Sequence, residues 1–285
     1  MITGDGLNCE RETAQAFELA GAEAELVHIS DILRGERRLN EFRILALIGG
    51  FSNGDHLGAG TVQAGRFRHR LREDLQRFIA GGRPIIGICN GFQTLVKMGI
   101  LPGLARSSRD EDPDSRGPAP GPSSRAFEPV LWERTATIMS NDSGRFEDRW
   151  VHVAVEPGSP CIWTAGLQRF FLPVRHGEGK FFVRDPGLLE QLTAKRQVVL
   201  RYCEPDGTPT QRYPWNPNGS LGAVAGICDP SGAILGLMPH PEAFLSPYNH
   251  PSWTREAALG RRLPPEGQGV AIFRNAVDHV RGNGV

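Results

Sequence analysis

Between Pro84 and Gln93 the chain reads Pro-Ile-Ile-Gly-Ile-Cys-Asn-Gly-Phe-Gln, a buried-strand pattern that runs through a cysteine directly into a helix start. No other stretch restricts the fold as much. Gly87 and Gly91, two residues either side of Cys89, reproduce the Gly-x-nucleophile-x-Gly turn, where strand, turn and helix crowd too closely for side chains. Such a turn belongs to an α/β sheet flanked by helices, with the cysteine at the carboxyl end of a central strand.

The neighbouring sequence agrees. Residues 25–29, 44–48 and 84–88 read as strands, and 13–20 as a helix closed by Gly21. Residues 61–80 read as one amphipathic helix, with Phe67, Leu71, Leu75, Phe78 and Ile79 at three- and four-residue spacing before Gly81-Gly82. Met1-Ile2 stands directly before the turn Thr3-Gly4-Asp5-Gly6, so the first strand is expected to be clipped, as by a late start. Residues 135–139, 150–155, 170–174 and 197–202 predict strands of a more antiparallel second half. Residues 223–228 and 234–238, joined by Asp229-Pro230-Ser231-Gly232, predict a hairpin. A last helix over 269–281 places Ile272, Phe273, Ala276, Val277 and Val280 on one face.

Composition narrows the partners. Thirty-two basic residues balance thirty-two acidic ones, which favours neither nucleic acid nor an anionic membrane. The apolar runs are strand-length, well below the roughly 18 to 20 residues of a membrane span, and no signal-peptide pattern opens the chain. Five cysteines, at 9, 89, 161, 203 and 228, show no CxxC pair and no zinc-ligand spacing. They predict a reducing, cytoplasmic setting and no metal site. Gly 35 and Pro 22 make up a fifth of the 285 residues, against an average of about 12%. Part of the excess lies in 106–126, whose charge, Ser, Pro and Gly predict a mobile insert.

A nucleophilic cysteine at a helix N-terminus gains from the dipole, which favours thiolate, and it needs a base. His240, within Met-Pro-His-Pro-Glu, is held by two prolines, and Glu242 stands where a carboxylate can orient the imidazole. Gly49-Gly50 after the strand 44–48 and the N–H of Asn90 are placed to donate to an oxyanion. No phosphate-binding glycine loop is present. Taken singly, each feature has a plainer reading: a packed cysteine, a solvent-facing histidine in a proline turn, a glycine turn after a strand. It is their combination that points to acyl transfer.

As a set, these motifs resemble class I, triad-type glutamine amidotransferases. Gly49-Gly50-Phe51-Ser52-Asn53-Gly54-Asp55, Leu57-Gly58-Ala59-Gly60, Gly87 to Gln93, His176-Gly177-Glu178-Gly179, Asn216-Pro217-Asn218-Gly219-Ser220 and Gly236 to Glu242 look like the glutaminase subunits of phosphoribosylformylglycinamidine synthases, of de novo purine synthesis. The resemblance implies a flavodoxin-like, mostly parallel sheet flanked by helices, with an additional antiparallel part in the second half. It implies a single amidotransferase domain over 1–285, of which 243–285 is a C-terminal extension and helix.

By the same resemblance Cys89 would attack the amide of glutamine, His240 would shuttle protons and Glu242 would hold His240. Gly50 and Asn90 would supply oxyanion donors, while Gln93 and the backbone near His176 and Gly177 would hold glutamine. No cofactor is expected in this chain. ATP and magnesium would sit on a synthetase subunit that receives the ammonia, with room for a small third subunit. The loop 216–220 is either a plain turn or a partner-facing segment, and Cys9 reads as a packing residue. Asn53 departs from an aromatic usual in the family, and Ala243 from an arginine; neither touches the triad. An amidotransferase for another acceptor, and a non-catalytic regulatory homologue, are the competing expectations.

Overall fold

In the computed structural model, residues 1–103 and 132–283 are described; the expected insert at 106–126 lies outside them. The strands, in chain order, are β1 (Ile2–Thr3), β2 (Val27–His28), β3 (Leu45–Leu47), β4 (Ile85–Ile88), β5 (Ala136–Ser140), β6 (Glu147–Val155), β7 (Arg169–His176), β8 (Glu178–Val183), β9 (Val198–Cys203), β10 (Val224–Cys228) and β11 (Ile234–Leu237). The helices are α1 (Glu10–Leu19), α2 (Ile29–Leu33), α3 (Thr61–Arg70), α4 (Arg72–Ala80), α5 (Asn90–Met98), α6 (Pro186–Ala194), α7 (Trp253–Ala258) and α8 (Val270–Asn283).

Among the described residues one nine-stranded sheet runs β2-β1-β3-β4-β11-β10-β9-β6-β7, and β5 pairs with β8 in a smaller one. Neighbours from β2 to β11 are parallel; from β11 to β7 they are antiparallel. Central β4 is wholly buried, with Ile85 opposite Leu45 on one side and Ile234 on the other. Its unbroken apolar run is what a parallel strand covered on both faces requires. The flavodoxin-like parallel part, the antiparallel second half and the β10–β11 hairpin all match expectation.

Three local expectations needed correction. The helix foreseen over 61–80 breaks at Leu71 (φ −123°, ψ 15°), which divides it into α3 and α4. Leu71 is buried, and the break lets α3 pack on α5 while α4 packs on the turn at Leu39–Glu41. The strand foreseen over 25–29 stops at His28, whose Nδ1 accepts from Ser30 N at 3.2 Å and caps α2. The first helix starts at Glu10, with Cys9 preceding it at φ 67°.

Strand β8 and helix α6 went unforeseen, although Asp185 capping through Gly187 N at 2.9 Å, followed by Pro186, is a regular helix start. The C-terminal helix α8 packs on α1, with Phe17 and Phe273 edge to face at 5.0 Å between centroids. No helix of the described residues is long and apolar enough to cross a membrane.

Candidate active site

Cys89 lies between β4 and α5 at φ 50° and ψ −104°, a conformation that side chains avoid. The flanking glycines explain how it is held. A Cβ on Gly91 would lie 1.9 Å from Leu47 O, and one on Gly87 would lie 2.7 Å from Gly91 O. The thiol sits at the head of α5, where the Asn90 N–H precedes the helix ladder. Its Sγ lies 3.6 Å from Arg175 O, at the end of β7.

His240 and Glu242 follow β11, the parallel neighbour of β4. His240 N donates to Pro173 O at 2.8 Å, which fixes the Pro-His-Pro segment against β7. The His240 Nδ1 to Glu242 Oε1 contact is 2.6 Å, and both side chains are buried, at 2% and 1% exposure. Burial alone would lower the imidazole's pKa. The Glu242 charge, with hydrogen bonding from Cys89, Cys9 and Glu242, more than offsets this and holds it well above the usual value. His240 Nε2 and Glu242 Oε2 remain without hydrogen-bond partners of full geometry.

Gly49 runs between nucleophile and base: a Cβ there would be 2.9 Å from His240 Cε1 and 3.7 Å from Cys89 Cβ. Gly50 (φ 131°) pairs with Leu7 through Asn8 N to Gly49 O and Phe51 N to Gly6 O, at 3.0 and 2.7 Å. Those two bonds leave the Gly50 N–H outside the bridge.

The other expected binding residues are drawn to the same place but are used structurally. Gln93 is buried; its Nε2 donates to Glu178 O at 2.5 Å, and its Oε1 accepts from Asn90 Nδ2 at 3.1 Å. Asn90 Nδ2 also reaches Asp55 Oδ1 at 3.1 Å. His176 Nδ1 pairs with Asn141 Oδ1 at 3.1 Å, and Gly177 O accepts from Asn141 N at 2.9 Å. Burial, reinforced by the charge of His240, lowers the His176 pKa to about 3. Of this stretch, it is the Arg175 carbonyl that borders the thiol.

Two readings change. The loop 216–220 turns its polar side chains inward, with Asn216, Asn218 and Ser220 buried. Asn218 Nδ2 donates to Gly179 O at 2.8 Å and to Tyr202 Oη at 3.1 Å, and Ser220 Oγ accepts from Phe181 N at 2.9 Å. Cys9 is no mere packing residue. With Asn8, Glu12, Gly50, Phe51, Arg175 and His240 it lines a cavity of about 390 Å³ beside the triad. Its sequence neighbours give no sign of this; the Leu7–Gly50 bridge brings it there.

The geometry is that of a thiol, an imidazole and a carboxylate in series, with backbone donors beside them. Comparison with known proteins agrees. Residues 1–280 match the CobB/CobQ-like glutamine amidotransferase domain. The chain is 45% identical to the phosphoribosylformylglycinamidine synthase subunit PurQ of Dehalococcoides mccartyi, over 97% of this chain and 94% of that one. It is 40% identical to the human phosphoribosylformylglycinamidine synthase over 87% of this chain, which corresponds to 18% of the human protein. A solved structure of PurLQS from Thermotoga maritima contains a chain similar to it at TM-score 0.63 and 26% identity, covering 98% of this chain and 96% of that chain. On this sequence, fold and site, the chain belongs to the CobB/CobQ-like glutamine amidotransferase family, among the relatives of the synthase subunit PurQ.

Proposed function

We propose that this chain is the glutaminase subunit of a cytoplasmic phosphoribosylformylglycinamidine synthase, releasing ammonia from glutamine for a separate synthetase subunit. The observation that carries the reading is Cys89 on its strained elbow with the buried His240–Glu242 pair on the adjacent strand end. Cys89 Sγ gives its proton to His240 and attacks the side-chain amide carbon of glutamine. The N–H groups of Gly50 and Asn90 stabilise the oxyanion, each such donor contributing on the order of 10² to 10³ in rate. His240 then protonates the departing nitrogen, leaving a γ-glutamyl thioester and ammonia. Water, deprotonated by His240, attacks the thioester, and glutamate leaves as the thiol is restored. Glu242 keeps the imidazole oriented and stabilises its charged form.

Gln93 and the backbone at His176 and Gly177 shape the glutamine pocket, Gln93 by fixing the Glu178 peptide. The ammonia goes to a synthetase partner, with or without a small third subunit. That partner uses ATP and magnesium to convert formylglycinamide ribonucleotide to its amidine. The matched segment forming part of a much longer human synthase favours such a pairing.

The test is Cys89→Ala in the reconstituted complex. Glutamine-dependent synthesis is lost while synthesis from ammonium salts persists; survival of both removes Cys89 as nucleophile. Covalent labelling of Cys89 by a glutamine-analogue diazo-ketone separates this reading from a non-catalytic regulatory subunit. Identification of the co-purifying synthetase separates it from an amidotransferase serving another acceptor.

A further inference from the structure

Of the segment Gly49 to Asp55 the mechanism uses only Gly50, and the one charged side chain there, Asp55, is left over. The two oxyanion donors come from separate elements. The Gly50 N–H lies in the loop that follows β3, and the Asn90 N–H at the head of α5. The bridge to Leu7 ties Gly50 to the start of the chain, not to α5. Something must set the distance between the two donors, because a misplacement of about 1 Å can cost on the order of 10² in rate.

The loop is poorly suited to hold itself. Asn53, Gly54 and Asp55 follow one another at φ 54°, 67° and 51°, a left-handed run that only glycine adopts freely. Such a run persists where contacts from outside over-determine it. Half-buried Asp55 supplies them. Its Oδ1 accepts from Gly60 N at 3.3 Å, which closes the loop, and from Asn90 Nδ2 at 3.1 Å, which joins the loop to α5.

A second observation lies on Asn90 itself. Its amide is fully buried, and Oδ1 has no hydrogen-bond partner, an unfavourable state for a buried oxygen. The acceptors on the other side explain why the amide is held this way: Nδ2 faces Asp55 and, at 3.1 Å, Gln93 Oε1. A carboxylate can only accept, so Asp55 dictates that orientation. Glu178 and Lys97 secure the far end of the loop. Ala59 N donates to Glu178 Oε2 at 3.3 Å, and Lys97 Nζ donates to Ala59 O at 2.6 Å. Asp55 reaches Asn90.

We propose that Asp55 is a positioning residue for glutamine hydrolysis: by clamping the loop that begins at Gly50 onto Asn90, its carboxylate sets the spacing of the two oxyanion donors. It acts through Asn90 and the loop, not on the reacting atoms. The proposal rests on the glutaminase reading above.

The test compares Asp55→Ala and Asp55→Asn with the native chain, each in the synthetase complex. Asp55→Ala is expected to lower kcat for glutamine by roughly 10² with KM changed less than about threefold. Synthesis from ammonium salts should keep its native rate. Alkylation of Cys89 by iodoacetamide, a displacement that forms no oxyanion, should stay within about twofold of native. In Asp55→Asn one amide oxygen can still accept from both Gly60 N and Asn90 Nδ2, so kcat should recover at least about tenfold over Asp55→Ala. Where Asp55→Ala does not assemble, Asp55→Ser, too short to bridge to Asn90, takes its place. A native kcat without the carboxylate, a loss confined to KM, alkylation slowed in step with kcat, or no recovery in Asp55→Asn overturns the assignment. Absence of glutamine hydrolysis by the native complex would instead fail the glutaminase reading, which separates the two.

Discussion

Cys89 keeps a backbone conformation that costs on the order of 1 to 3 kcal/mol, and only crowded surroundings hold a residue there. Gly91 is the most crowded of these, since its missing Cβ would fall inside Leu47 O. Gly91→Ala is therefore expected to push α5 away from β3 and to destabilise the chain by about 3 kcal/mol or more. Urea unfolding would register this, and a variant of native stability would mean that the elbow is not close-packed. Glu242→Gln preserves shape but removes the charge beside His240 Nδ1. It should lower kcat for glutamine by roughly 10² to 10⁴ with KM little changed, as for other triad carboxylates; steady-state kinetics in the complex is the check. Cys89, His240 and Glu242 were legible in the sequence because each is announced by its immediate neighbours, glycines in one case and prolines in the other. The place of Cys9 beside them was not, because it comes from a bridge between Leu7 and Gly50, a tertiary contact with no local sequence signature.

At the level of elements, the legible ones are those with a repeating pattern, such as the buried strands β4 and β11 and the helices α1 and α8. Periodicity carried straight through Leu71 and so hid the break between α3 and α4, because side-chain spacing does not register a change of backbone direction. Strand β8 was hidden for the opposite reason: Gly177 and Gly179 carry no side chain to show an alternating pattern, and a Cβ on Gly179 would meet the His176 ring at 2.5 Å. The 216–220 loop shows how β8 is kept in place. Asn218 joins Gly179 O, Tyr202 Oη and both Ser220 donors, the latter accepted by its Oδ1 at 3.0 and 2.7 Å. Asn218→Ala would leave these groups unpaired in the interior, at a cost of about 3 kcal/mol. Chemical denaturation should show that loss, and hydrogen exchange should show β8 opening before β4. Uniform protection of both strands would show that the loop does not anchor β8.

Over the whole molecule, the parallel half of the sheet carries Cys89 and His240 at its strand ends, and the antiparallel half supplies the wall that faces them. His240 N on Pro173 O and Cys89 Sγ beside Arg175 O join the two. His176, at the end of that wall, makes their union sensitive to acid. Its native pKa is lowered to about 3, first by burial and then by the charge of His240, whereas an unfolded chain protonates near 6.5. The native state thus binds fewer protons than the unfolded state across this window. Stability contributed by neutral His176 is complete above pH 6.5, is lost as pH falls toward 3, and changes no further below that. The slope is about 1.4 kcal/mol per pH unit well inside the window, which gives about 2 kcal/mol between pH 7 and pH 5. Carboxylates titrate lower and add their own slopes, so the informative quantity is the difference between the native chain and His176→Gln. Unfolding free energies at pH 7 and pH 5 should converge for the two proteins by about that amount as the pH falls. Parallel losses in both would mean that His176 is protonated in the native fold near pH 6, and an NMR titration of its ring would show the same directly. The test reaches the join between the two halves of the sheet without touching Cys89, His240 or Glu242.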